Sequence, residues 1–318
     1  MSRDAFSYDP QDAGETREQA TRHSTRNSTH QQRSISPDTR DGRNPAPEAI
    51  GRGDSTEARE QHPARDERSD SPRAYYVRDR AYLLRDSEMN SLKEIGKFRV
   101  IPVSDLAKFA YGGNRERMEK DIHALARKSL VRDKTLEISQ KKTLRVVTLT
   151  KAGHRVLKNT NQVSDDQLIY HGLVKPREVK HDADLYRLYQ KEAARIERAG
   201  GRPIRVLLDY ELKRNLNRDL AQLGPEKDNA DRKRKVAEEH QLRVVSGKIA
   251  VPDLRVEYEN PKLELRHVDL ELATRNYRPR AMAAKAAAGF SLYARSEDAS
   301  RLRRVLDERE ITAGILTL

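Results

Sequence analysis

The first 75 residues contain no Leu, Val, Lys or Trp. Ser, Thr, Gln, Asp, Glu and Arg fill most positions, as in QQRSISPDTRDGRNPAPEAIGRGDSTEAREQ. A segment of this kind cannot bury enough apolar surface to offset the entropy of ordering it, so residues 1–75 are expected to be a disordered tail. Any core must come from the rest of the 318 residues, enough for two ordinary domains. The hydrophobic set is 36% of the chain, below the roughly 45–50% of ordinary globular chains, as a core-less segment requires.

Charge follows the same division. The chain carries 63 Lys plus Arg against 50 Asp plus Glu, a net +13. Twelve Arg and 14 acids fall in residues 1–75, leaving 51 basic against 36 acidic residues beyond them. The basic excess therefore belongs to the part expected to fold, which points to a polyanionic partner. No stretch reaches the ~18 consecutive apolar residues of a membrane span, and the first thirty residues hold no signal-like apolar run, so a cytoplasmic protein without a membrane partner is expected. With no Cys, thiolate zinc sites, iron–sulfur clusters and cysteine nucleophiles are excluded. GxxxxGK[ST] and HExxH are absent too.

Periodic apolar residues begin at Val77, and a polar, Pro- and Gly-containing stretch over about 161–179 divides them. The expected domains are 76–160 and 180–318, joined by a linker over 161–179. In the first, Asp86 or Ser87 is expected to cap a helix carrying Met89, Leu92 and Ile95, and Ser104 a short second helix. A third helix follows YGGN, with Met118, Ile122 and Leu125 on its apolar stripe. Two β-rich runs, VRDKTLEIS and TLRVVTLT, meet at Gln140-Lys141-Lys142, and LTKAGHRVL closes the region as a helix. Three helices and then a two-stranded wing resemble the winged helix-turn-helix fold of many bacterial regulators. That resemblance implies a third helix in the major groove of double-stranded DNA, presenting Arg115, Arg117, Lys120 and His123, with Lys141 and Lys142 of the wing on phosphates or the minor groove.

In the second region, HDADLYRLYQKEAARIERAGG reads as a helix with a glycine stop and RPIRVLLDYEL as a strand. A charged stretch over 213–240 follows. GKIAVPDLRVEYEN and KLELRHVDLELAT then read as two strands, the first holding Asp253, the second Asp269 and Glu271. Residues two apart on a strand share a face, so Asp269 and Glu271 point the same way. If Asp253 lies alongside, three carboxylates converge, and a divalent cation or a shared proton would relieve their repulsion. The alternative is a set of strand-end acids paired with Arg255, His267 or Arg275. Tyr277 reads as a packing residue, and the C-terminal helix and strand complete an α/β sandwich.

Helix, strand, strand with Val251-Pro252-Asp253, strand with Asp269-Leu270-Glu271, helix: this order resembles the core of the PD-(D/E)XK nuclease-like superfamily, a restriction-endonuclease-like α/β fold. The superfamily's lysine, two residues after the second acid, is replaced here by Ala273 or, counting from Asp269, by Glu271. A basic group would come instead from Lys285 on the next helix. The whole pattern, winged helix and then nuclease-like domain, resembles the replication-relaxation family of bacterial plasmids and mobile elements. The resemblance implies an overall α+β protein with catalytic candidates Asp253, Asp269, Glu271 and Lys285, joined by Glu211 and His181. Asp253, Asp269 and Glu271 would hold Mg2+ or Mn2+. Two functions follow as expectations. One is DNA binding in replication, mobilisation or transcription control, with a catalytically silent nuclease-like domain that serves a protein partner or a homodimer. The other is metal-dependent DNA cleavage or nicking.

Overall fold

A computed structural model describes residues 71–139, 142–223, 229–274, 277–308 and 314–318. The expected disordered tail lies outside the described residues except at its end. There Arg73–Val77 (β1) pairs antiparallel with Arg80–Leu84 (β2) in a hairpin that the sequence reading did not anticipate. Its inner face, Val77, Tyr82 and Leu84, is buried.

The chain is mixed α+β. Asp86–Gly96 (α1), Ile101–Pro102 (β3), Val103–Ala110 (α2), Arg115–Arg127 (α3), Val131–Ser139 (β4), Lys142–Leu149 (β5) and Lys151–Asn159 (α4) follow in order. β5 is central in the sheet β3-β5-β4, all antiparallel, so the elements take the expected three-helix and wing order. The caps differ from expectation. Arg85 and Pro102 occupy the N-cap positions of α1 and α2, so Asp86, Ser87 and Ser104 lie inside the helices, where Asp86 still complements the helix dipole. Asn114 does cap α3, accepting from Arg117 N–H at 3.0 Å.

Pro176–Arg198 (α5) opens the second half, followed by Arg202–Leu208 (β6), Asp209–Gln222 (α6) and Asn229–Glu239 (α7). A small hairpin, Val244–Val245 (β7) with Lys248–Ile249 (β8), precedes Leu254–Glu259 (β9) and Leu265–Ala273 (β10). Pro279–Ala287 (α8), Ser291–Ala294 (β11), Ser296–Asp307 (α9) and Ile315–Thr317 (β12) complete the chain. The five-stranded sheet runs β12-β11-β10-β9-β6; β6, β9 and β10 are antiparallel neighbours, whereas β11 and β12 are parallel to β10. The parallel pairs need crossovers, and α8 and α9 provide them. Omitting the α6–β8 excursion, the element order is α5-β6-β9-β10-α8-β11.

One apolar core runs through both halves. Phe98, just after α1, sets its ring edge-on to Tyr186 of α5 at 5.1 Å, and Tyr189 of α5 is 5.3 Å away. The same helix buries Leu185 and Leu188 against Val206, Val256 and Leu270 of the sheet, so α5 is shared. The stretch expected as a linker is fastened at several points. Tyr170 N–H donates to Gly96 O at 2.8 Å, and Gly172 N–H to Leu149 O at 2.9 Å. The buried amide of Gln167 donates to Val206 O and accepts from Val206 N–H, each at 2.9 Å, which satisfies one residue of edge strand β6 as a neighbouring strand would.

Candidate functional site

Strand alternation splits the second sheet chemically. Leu254 and Val256 of β9 and Leu270 and Leu272 of β10 are buried on the α5 side. The opposite face carries Arg255 and Glu257, set across from Asp269 and His267 in the ladder. Glu271 continues that face at the end of β10, beyond the last β9 pair.

Asp253 stands where that ladder stops. Pro252 has no N–H to donate, and pairing with β10 ends at Leu254. The Asp253 carboxylate replaces the missing rung by accepting Leu272 N–H at 2.9 Å, while its own N–H donates to Glu271 Oε2 at 3.2 Å. Lys285, from the last turn of α8, reaches back over the sheet end. Its ammonium lies 2.9 Å from the Glu271 carboxylate, donates to Val251 O at 2.6 Å, and sits 5.5 Å from the centre of the Phe290 ring. Asp253, Glu271 and Lys285 are therefore brought together, with the lysine supplied by the next helix. Glu271 is only 2% exposed, and burial together with the Asp253 charge lifts its carboxyl to about 7. Burial lifts Asp253 as well, opposed by the Leu272 N–H and by Lys285.

Two members of this cluster went unseen in the sequence. Tyr277 is not merely a packing residue: its hydroxyl donates to Glu271 Oε1, and burial raises its pKa. Asp209 follows β6, whose last residue Leu208 pairs with Leu254, so register delivers it beside Asp253; its N–H donates to Asp253 O at 3.1 Å. The acid just after β6 was visible in the sequence, but only the antiparallel register reveals which neighbour it meets.

Asp269 does not join the cluster. It shares the Glu271 face as expected, yet it lies directly across from Arg255, whose guanidinium takes both its oxygens at 2.6 and 2.8 Å. Arg255 spends its other donors on the carbonyls of His240 and Gln241, fixing the pair at 5% and 9% exposure. The expected set of Asp253, Asp269 and Glu271 is therefore not brought together, and among the described residues no group of three or more His, Asp or Glu is arranged to hold a metal ion. Glu211 is buried on α6 and ion-paired with Arg205. His181 lies half-buried on α5 beside Asp182, and no hydrogen bond or ion pair joins it to Asp253 or Glu271 among the described residues.

In the first half, α3 turns Met118, Ile122 and Leu125 inward and leaves Arg115, Arg117, Lys120, His123 and Arg127 exposed. Glu119 is withdrawn from this surface: Arg145 of β5 bridges it at 2.6 Å and holds Asp133 of β4 on its other edge. Glu116 remains exposed. Lys142 begins β5, whereas Lys141 at the wing tip lies outside the described residues. Among the described residues no helix is long and apolar enough to cross a membrane. No family model, curated protein or solved structure matches this chain.

Proposed function

We propose that this chain is a DNA-binding protein that engages double-stranded DNA through α3 and the β4–β5 wing, acting in replication, mobilisation or transcription control of a plasmid or mobile element. The carrying observation is the exposed cation set of α3, with Glu119 drawn away from it onto Arg145. A helix that buries its apolar stripe and turns Arg and Lys outward from a helix-turn-helix frame suits the major groove. The order α5-β6-β9-β10-α8-β11 supports the resemblance of the second half to the PD-(D/E)XK core, and with it the likeness to the replication-relaxation family.

A second reading, metal-dependent cleavage of a phosphodiester, is favoured by the convergence of Asp253, Glu271 and Lys285. Mg2+ is commonly held by one or two carboxylates, keeping several waters, so Asp253 and Glu271 suffice without Asp269. Burial and then the charge of Asp253 raise the Glu271 pKa, and a divalent cation would relieve the repulsion between the two carboxylates. The chemistry such an ion supplies when bound is charge neutralisation at a phosphate and activation of water. Lys285 would stabilise charge developing on the phosphate. Tyr277 orients the Glu271 carboxylate by donating to its Oε1.

Incubation with supercoiled plasmid in Mg2+ or Mn2+, with an EDTA control and the Asp253→Ala variant, separates the two. A mobility shift equal for both proteins without nicking supports DNA binding alone. Nicking that is metal-dependent and lost in Asp253→Ala and Lys285→Met establishes the second reading. Absence of any shift contradicts the proposal.

A further inference from the structure

The β1–β2 hairpin and α4 border an open cleft of about 390 Å3 whose charged lining is Arg78, Arg80 and Arg155, with Asp79 as its one acid. All three arginines are exposed, and none has an ion-pair partner among the described residues. Arg80 is held in place over the Tyr82 ring, 4.8 Å from its centre. Arg145 and Arg255, by contrast, are tied off, the first by Glu119 and Asp133 and the second by Asp269.

Arg78 is one of six described non-glycine residues with positive φ. It is the first residue of the two-residue hairpin loop and has φ of 53°. Glycine or asparagine adopts that conformation with little strain, whereas a long side chain there costs stability. The turn accepts that cost and gains a guanidinium at the mouth of the cleft.

The cations continue along α4. Lys151, Arg155 and Lys158 stand at i, i+4 and i+7 on one exposed stripe, and the helix contains no acid. His154 lies between them, its imidazole held down to about 4 by burial and then by His171, Lys158 and Arg155. Seven residues of helix rise about 10 Å, the axial span of about three phosphates on one DNA strand. One small anion would occupy a single cleft, but a row of this length suits a polymer.

We infer that the β1–β2 hairpin and α4 form a second, sequence-independent contact for the phosphate backbone of double-stranded DNA, separate from α3. Arg78, Arg80 and Arg155 each take a backbone phosphate, and Lys151 and Lys158 of α4 track the neighbouring ones. The inference rests on the DNA-binding proposal for the identity of the polymer, and its test distinguishes the two.

The full chain, an Arg78→Gly/Arg80→Gln/Arg155→Gln variant and an Arg115→Gln/Arg117→Gln/Lys120→Gln variant are titrated into a labelled short duplex at rising KCl. Arg155→Gln alone serves as the mildest change. With about 0.9 counterion released per contact, the triple hairpin–α4 variant should lose about 3 from the slope of log K against log[KCl], and Arg155→Gln about 1. The melting temperature of the triple hairpin–α4 variant should be at or above that of the parent, because Arg78→Gly relieves the strained turn. A parental slope in both hairpin–α4 variants overturns the inference while leaving DNA binding by α3 intact. Failure of the parent itself to bind the duplex overturns the DNA-binding proposal and the inference together. Inorganic phosphate at constant ionic strength should not remove the hairpin-dependent component; if it does, the cleft is a small-anion site and the DNA assignment is overturned.

Discussion

Replacing Glu271 by Gln should stabilise the protein above neutral pH and leave it unchanged at pH 5. Burial and then the neighbouring Asp253 lift the Glu271 carboxyl from about 4.5 to about 7 in the folded state. Between those values the folded protein holds a proton that the unfolded chain has released. Stability therefore falls as pH rises through the window, and the full cost is reached above pH 7. The displacement corresponds to on the order of 3 kcal/mol, an upper bound because Asp253 shares the proton. Gln retains an oxygen to accept from Lys285 and Asp253 N–H but cannot ionise. In a domain of this size 3 kcal/mol is roughly 6–12 °C in Tm. Melts followed by circular dichroism from pH 5 to pH 9 should show curves that coincide at the acidic end and separate above neutrality, the variant higher. Asp182, lifted by burial to about 6, titrates in both proteins and cancels from the difference. A variant less stable by the same amount at every pH would refute the reasoning, because the ion pair with Lys285 would then outweigh the buried charge.

Asp269→Asn leaves Arg255 buried without its counter-charge, so denaturant unfolding should show a loss of about 3–5 kcal/mol that added Mg2+ does not change; a loss seen only in the presence of Mg2+ would make Asp269 a metal ligand after all. Gln167→Ala strips both partners from Val206 N–H and C=O, and a loss of about 1–3 kcal/mol in the same assay is expected. Gly153→Ala puts a methyl group against the Leu130 carbonyl, so α4 must move off β4, with an expected cost of about 1–3 kcal/mol. A neutral result would mean that α4 is free to shift.

The winged half was legible because its signals are local. YGGN ahead of Met118, Ile122 and Leu125 marks the start of α3, and the alternation of VRDKTLEIS matches β4 residue for residue. The β1–β2 hairpin was missed because RAYYV follows a polar stretch and RAYLL keeps apolar residues on both faces. Tyr76 and Leu83 point outward at 70% and 60% exposure, so no alternation advertises the strands. The site was half legible for a similar reason. Asp269 and Glu271 do share a face, but only the register shows that Arg255 stands across from the first and that the second lies beyond the last rung. Lys285 was accessible from helical periodicity, whereas Tyr277 joins through the β10–α8 connection and Asp209 through the β6–β9 register, neither of which a local signal records.

DNA binding by α3 is the central claim, and the most direct measurement is the affinity of the full chain for a duplex, with and without Arg115→Gln/Arg117→Gln/Lys120→Gln, across a range of KCl concentrations. Salt-sensitive binding is expected, with the variant weaker at every concentration and its slope shallower by about 3. Affinity and slope that are identical in the two proteins would contradict α3 as the DNA-reading element.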